Sequence, residues 1–304
     1  ITANRPDGMS VIGIAREISA LLQTKLTLPP EDEIINLNNF KPDKLCQEAI
    51  NSDCIYTISY IENVKGKQTS PKWIKERLEK SDIKSKNLIV DITNYILLEQ
   101  GQPLHAFDSE KLSQLIGRKV LPEDFGVRKA RKGEFLIALD GIKYELNENV
   151  IIIACSDKPI AIAGVIGGLE TAVSENTRSI ILEGAVFNPA IIRKSSREIG
   201  LRTESSSRYE KGISFKNTLN SVSRAFFLLN QYYKNSTCTI YSSKNIIREN
   251  KFIKLRRERI FKILGPVISN ANDKNNKEIL KRNLNDKEIV DKLELIGCDL
   301  KNRD

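Results

Sequence analysis

A single histidine, a carboxylate inside an apolar strand and a glycine-rich turn are the residues of this 304-residue chain with the best claim to chemistry. His105 follows Gly101-Gln102-Pro103, a rigid turn beyond a helix end, and this places it in a loop. A neutral imidazole there can orient a water or contact a sugar hydroxyl, although an isolated histidine is more often a structural hydrogen bonder. Glu183 stands within Ile180-Ile-Leu-Glu-Gly-Ala-Val-Phe187, and strand alternation puts it on the face of Ile181 and Ala185, opposite Leu182 and Gly184. A carboxylate so placed needs a hydrogen-bond donor or a raised pKa; pairing with an arginine or a backbone amide is the plainer alternative. The turn Gly164-Val-Ile-Gly167-Gly168 lacks the Lys-Ser/Thr ending of a phosphate loop and the spacing of a dinucleotide fingerprint. Its glycines permit close approach of a ligand to bare backbone. The segment Gly200 to Gly212 mixes small hydroxyl residues with charges and either walls a pocket or caps the next helix.

With one histidine, any Ser-His-Asp or Cys-His set would have to rely on His105, which argues against a conventional hydrolase nucleophile. The five cysteines are scattered, without a CxxC pair, and read as reduced and mostly buried; no metal site is expected. A net charge of +9 and a pI near 9.2 favour a polyanionic partner, tempered by a composition rich in lysine throughout. No run approaches the length of a membrane span and no signal-peptide profile opens the chain, so a cytoplasmic location without membrane contact is expected.

The elements that position these residues read as α+β: mixed and antiparallel sheets packed with helices, followed by a small partial helical α/β unit. Ser10 caps a helix through Leu22 that carries Val11, Ile14, Ile18 and Leu21 or Leu22 on one face. Ile34 to Tyr60 reads as strand, helix, strand. Ser70 as cap and Pro71 at the first helical position start a second helix with Trp73, Ile74 and Leu78 inward. Leu88 to Val90 reads as a buried strand and Thr93 as the head of a third helix. Short apolar runs from Ile116 to Ile162, separated by Arg131-Lys-Gly133 and Asp140-Gly141, predict an antiparallel meander. Asn188-Pro189 opens a helix that ends at Gly200, and Leu219, Val222, Phe226, Leu229 and Tyr233 form the core stripe of another. Beyond Asn245 come a strand (Phe252 to Leu255), a helix to Leu264, a polar stretch (Asn270 to Lys277) and a helix ending at Gly297. The pattern is under way at Ile1 and breaks off at Asp304, as in a piece of a longer chain.

Several segments together resemble the beta subunit of bacterial phenylalanyl-tRNA synthetases: NRPDGMSVIGIARE, SPKWIKERL, VDITNYILLEQGQPLHAFD, KGEFLIALDG, IAIAGVIGG, LEGAVFNPAIIRKSSREIGLRTESSSRYEKG and LRRERIFKILG. They span nearly the whole chain in the family's order. The resemblance implies a division into 1–30 (the end of a preceding domain and a linker), 31–244 (a tRNA-editing domain) and 245–304 (part of a small helical domain similar to nucleic-acid-binding modules). It implies hydrolysis of tyrosine wrongly attached to the phenylalanine tRNA, with that tRNA and a synthetase alpha subunit as partners in an alpha2beta2 heterotetramer. ATP and magnesium would serve the full synthetase, and no cofactor is implied for this piece.

Carried over residue by residue, the family's site histidine falls on His105 and its pocket threonine on Thr203. The carboxylate that receives the tyrosine phenol falls on Glu183, and the pocket glycine on Gly167, with Gly168 beside it. The Thr-Asn pair falls on Thr93 and Asn94. Two positions depart from the family: Lys84 stands where many members have arginine at a tRNA contact, and Ser205 where alanine is usual in the substrate pocket. The alternative is a non-catalytic tRNA-binding or scaffold module. The basic helix Lys254 to Lys262 could also bind nucleic acid on its own, or be a solvated face.

Overall fold

The computed structural model describes residues 2, 4–31, 37–39, 54–234, 236–243, 253–270, 279–298 and 300. The chain divides into two compact units, Ile1–Ile14 with Leu28–Asn245, and Ala15–Thr27 with Ile246–Asp304. The leading piece 1–30 is therefore shared between them. Among the described residues no helix is long and apolar enough to cross a membrane.

A 3-10 turn at Pro6–Met9 precedes α1 (Val11–Leu22), and Ser10 caps it by accepting the Gly13 N–H at 3.0 Å. The apolar residues of the α1 stripe, Val11, Ile14, Ile18, Leu21 and Leu22, are all exposed. β1 (Leu37–Asn39) and β2 (Ile55–Ile61) follow; the helix expected between them lies outside the described residues. α2 (Lys72–Glu79) buries Ile74 and Leu78 but is not capped by Ser70, whose hydroxyl donates instead to Asp91 at 2.5 Å.

Leu88 to Val90 is not a strand. It is the first turn of α3 (Leu88–Gln100), so Thr93 lies inside the helix and not at its head. A short apolar run is ambiguous between strand and buried helix. Here Asn87 decides it by accepting the Val90 N–H at 3.0 Å as the cap. With Leu88, Ile89, Ile92, Tyr95 and Ile96 all buried, α3 is a central helix and lacks the one-sided pattern that would have announced it. It ends at Gly101 in the left-handed region, φ +75°.

The chain then forms β3 (Leu104–Asp108) and α4 (Ser109–Ile116), so His105 lies on a strand, not in the loop expected from the preceding turn. The meander appears as β4 (Phe125–Lys129), β5 (Phe135–Ile137), β6 (Lys143–Glu145), β7 (Ile151–Cys155), β8 (Lys158–Ile162) and β9 (Ile166–Gly167). β10 (Ile180–Val186), α5 (Pro189–Glu198, capped by Asn188), α6 (Glu204–Tyr209), α7 (Phe215–Asn230) and β11 (Cys238–Ser242) complete the first unit.

Its main sheet has the order β1-β11-β2-β10-β3, antiparallel except for the parallel pair of β1 and β11. A second sheet runs β4-β7-β8-β9, and β5 and β6 form a separate hairpin. On one face of the main sheet α2, α3 and α7 bury Ile74, Ile92, Ile96, Leu182 and Val222. On the other face the second sheet packs, joining Tyr56, Ile58, Phe107, Ile181 and Ala185 to Phe125, Ile153 and Ala161. Cys54 and Cys155 are buried in this layer, whereas Cys298 is exposed.

The second unit contains α8 (Arg257–Leu264), a hairpin of β12 (Val267–Asn270) and β13 (Ile279–Arg282), and α9 (Asp286–Leu295). Phe252 of the expected strand lies outside the described residues, and Ile253 to Leu255 form none.

Candidate functional site

The register of the main sheet sets His105 directly opposite Glu183 across the β10–β3 ladder. Cross-strand neighbours have β-carbons about 4.5–5.5 Å apart, so imidazole and carboxyl share one patch of the sheet face. That face is the one covered by the second sheet, and between the layers lies a cavity of about 60 Å³. His105, Gly167, Glu183, Ser205 and Tyr209 line it, with Ile153, Ala161 and Val165 as apolar wall.

Each wall has a local cause. Gly164 adopts φ +68°, and a β-carbon there would come within 2.9 Å of Ile192 Cδ1 and 3.0 Å of the Tyr209 ring. Glycine is therefore required for the chain to turn between β8 and β9. The turn is held by Thr203, which accepts the Ser206 N–H as cap of α6 and donates its hydroxyl to the Val165 carbonyl at 2.9 Å. Gly167 lies against the histidine: a β-carbon would sit 2.4 Å from its Cε1. Phe107, two residues along β3, meets the imidazole edge to face at 4.5 Å between ring centres.

Burial dominates the electrostatics. Glu183 is 5% exposed, and enclosure pushes its pKa up to about 8. At neutral pH Glu183 is thus mainly the protonated acid, able both to donate and to accept. Burial pushes His105 down to about 4, so its ring is neutral; Nε2 is sealed from solvent and has no hydrogen-bond partner among the described residues. Among the described residues no serine or cysteine engages that nitrogen, so His105 activates no nucleophile there. What the arrangement offers is an apolar slot with a neutral carboxylic acid, a neutral imidazole and exposed main chain along one side.

The structure brings together His105, Glu183, Gly167 and Ser205. Gly168 faces elsewhere: its N–H donates to the Ile160 carbonyl, and a β-carbon would meet that oxygen at 2.6 Å. Thr203 acts behind the wall through Val165. Thr93 and Asn94 are on α3, outside the cavity lining, with the Thr93 hydroxyl donating to the Val90 carbonyl at 2.8 Å. Lys84 is exposed in the loop between α2 and α3, a loop tied down where Ser85 and the Lys86 N–H bond to Asp91. Tyr209 lies in the segment Gly200 to Gly212 that the sequence offers as a pocket wall or a helix cap, although nothing in its local sequence singles it out within that segment. Among the described residues no group of three or more His, Cys, Asp or Glu side chains is arranged to hold a metal ion.

Residues 53–234 match the family described as the B3/4 domain. The chain is 64% identical over 304 residues to a phenylalanine–tRNA ligase beta subunit of Prochlorococcus marinus strain MIT 9312, covering 100% of this chain and 37% of that protein. A subunit of the same description from Synechococcus sp. strain CC9605 is 42% identical over 300 residues, 99% of this chain and 35% of the relative. The chain therefore spans little more than a third of the length of these relatives. A crystal structure of an N-terminal fragment of the phenylalanyl-tRNA synthetase beta-subunit from Pyrococcus horikoshii aligns with 97% of this chain and 84% of its own, at 13% identity and a TM-score of 0.37.

Proposed function

The chain belongs to the B3/4 domain family, and on that footing we propose that it is the proofreading part of a phenylalanine–tRNA ligase beta subunit, hydrolysing the ester of tyrosine mischarged onto the phenylalanine tRNA. The observation that carries this reading is the pairing of Glu183 with His105 on one sheet face, closed by the bare backbone of Gly167.

The tyrosyl side chain enters the apolar slot and its phenol meets Glu183. The acid can accept the phenolic hydrogen or donate to the phenolic oxygen, and phenylalanine leaves it without a partner. An unpaired buried polar group costs about 1–3 kcal/mol, or about ten- to a hundredfold in discrimination. A pocket that demands a hydroxyl is thus the complement of a synthetic site that rejects one poorly.

The aminoacyl ester is already activated, so a positioned water suffices. Its oxygen bonds to the ester carbonyl carbon, the bond to the terminal ribose oxygen breaks, and that oxygen takes up a proton. Neutral His105 orients the water or the ribose hydroxyl, and backbone dipoles of the Gly164–Gly167 turn face the developing charge. No side-chain nucleophile and no cofactor are required for this step. ATP and magnesium would serve aminoacylation elsewhere in a full synthetase, alongside an alpha subunit in an alpha2beta2 assembly in the cytoplasm.

The deciding experiment is deacylation of Tyr-tRNA by this chain. Turnover that Glu183→Ala lowers by about tenfold or more for tyrosine supports the reading. Tight tRNA binding without turnover favours a scaffold module instead.

A further inference from the structure

The ladder between β10 and β3 runs from Ile180 opposite Asp108 to Gly184 opposite Leu104 and stops there. The next rung would set Ala185 against Pro103, and proline has no N–H to give to a carbonyl. Gln102, with 0% exposure, supplies the missing donor: its Nε2 gives to the Ala185 carbonyl at 3.3 Å and to the Pro103 carbonyl at 3.0 Å. The Tyr209 hydroxyl, in the cavity wall, lies 3.5 Å from the same nitrogen and donates to the Pro103 carbonyl at 3.3 Å.

From the helix side, Thr218 of α7 donates to Gln102 Oε1 at 2.8 Å. That bond fixes which end of the amide faces the strands. Thr218 can lie so low on the sheet because Gly184 is bare; a β-carbon there would be 3.0 Å from Thr218 Cγ2.

We infer that Gln102 is a positioning residue whose side-chain amide replaces the main-chain rung that Pro103 cannot form, and thereby holds His105 at its fixed distance from Glu183. The inference rests on the editing reading only for its activity readout; its geometric readout does not depend on it.

Gln102→Met keeps length and apolar packing but removes both donors. Because His105 is the only histidine, it gives one set of imidazole NMR resonances to follow. In the variant these are expected to shift, and their titration midpoint to climb from about 4 towards the ordinary 6.5 as the ring loses its enclosure. Hydrolysis of Tyr-tRNA should fall about ten- to a hundredfold in kcat at nearly unchanged KM, the signature of a misplaced reacting group. Adding Pro103→Ala restores a main-chain N–H opposite Ala185 and should bring back part of kcat together with the original resonances. Should Gln102→Met fail to fold, Thr218→Val, which keeps the amide but removes its orienting donor, should move the same resonances less far. Unchanged His105 resonances in both Gln102→Met and Thr218→Val, or a loss confined to KM, overturns the proposal. A wild-type chain that leaves Tyr-tRNA intact would end the editing reading, while the resonances still decide the role of Gln102.

Discussion

Gly167 and His105 meet so closely that a β-carbon on the glycine would lie 2.4 Å from Cε1 and 2.5 Å from Nε2 of the ring. One edge of the imidazole is thus pressed against bare main chain, while Phe107 meets the ring edge to face at 4.5 Å. The position of the ring is thus set by contacts from two strands and by one missing side chain.

Gly167→Ala follows from that contact. The added methyl meets the imidazole at well under contact distance, and that ring already packs on Phe107. His105 must swing away or β9 must lift. Hydrolysis of Tyr-tRNA should fall on the order of a hundredfold. A structure of the variant should show the imidazole displaced; an unmoved ring with undiminished activity would refute the account.

Glu183 separates recognition from chemistry. Glu183→Ala removes the partner of the phenol and should lower kcat/KM for Tyr-tRNA by about ten- to a hundredfold or more, with far less effect on a Phe-tRNA substrate. Glu183→Gln keeps a donor and an acceptor in the same place and should retain an intermediate preference for tyrosine. Paired deacylation assays on the two tRNA esters check both. An equal loss on both esters would make Glu183 part of the hydrolytic machinery.

Which parts of this were legible in the sequence depends on the range of the interaction. Strand alternation places Glu183 on the face of Ile181 and Ala185, and the ladder confirms that face, because a period of two is enforced by backbone geometry. The caps at Ser10 and Asn188 are equally local and were readable. The first turn of α3 was not, because a helix buried on most of its circumference lacks the polar face that distinguishes it from a buried strand. The sequence points to a loop at His105 because the turn before it is obvious, whereas the edge strand that holds it exists only through pairing with β10. Tyr209 and Gln102 reach the site only through contacts far apart in the chain. The protonated state of Glu183 follows from enclosure by two layers, which no local pattern reveals.

Burial of the acid also makes stability depend on pH in a defined direction. Glu183 has its folded pKa raised from 4.5 to about 8, so the folded chain binds a proton that the unfolded chain has released between those values. Stability from this group is full below about 4.5 and is lost as pH rises through about 8, by an amount on the order of a few kcal/mol. His105, lowered from 6.5 to about 4, acts oppositely: its contribution is present above 6.5 and is lost as pH falls towards 4. Of these two groups, only the acid titrates above pH 7. Glu183→Gln should therefore remove a decline in Tm that the wild-type chain shows over that range; parallel Tm curves for the two proteins would mean that Glu183 is ionised in the fold.

Thr203 tests whether a residue behind the wall is felt at the site. Its hydroxyl has two uses, accepting the Ser206 N–H at 3.1 Å and donating to the Val165 carbonyl at 2.9 Å. Thr203→Val is nearly isosteric and removes both. Loss of a cap costs about 0.5–2 kcal/mol, and the unpaired Val165 carbonyl adds to it. The freed turn then no longer holds Gly167 against His105, so activity should fall along with stability. Thr203→Ser keeps the hydroxyl and should restore both. This parallel fall and recovery distinguishes a tether from a group that touches substrate. If the hydroxyl acted on the ester itself, Thr203→Val would lose kcat while its unfolding midpoint stayed near wild type. Thermal unfolding and single-turnover deacylation, measured on the same two variants, decide between these outcomes.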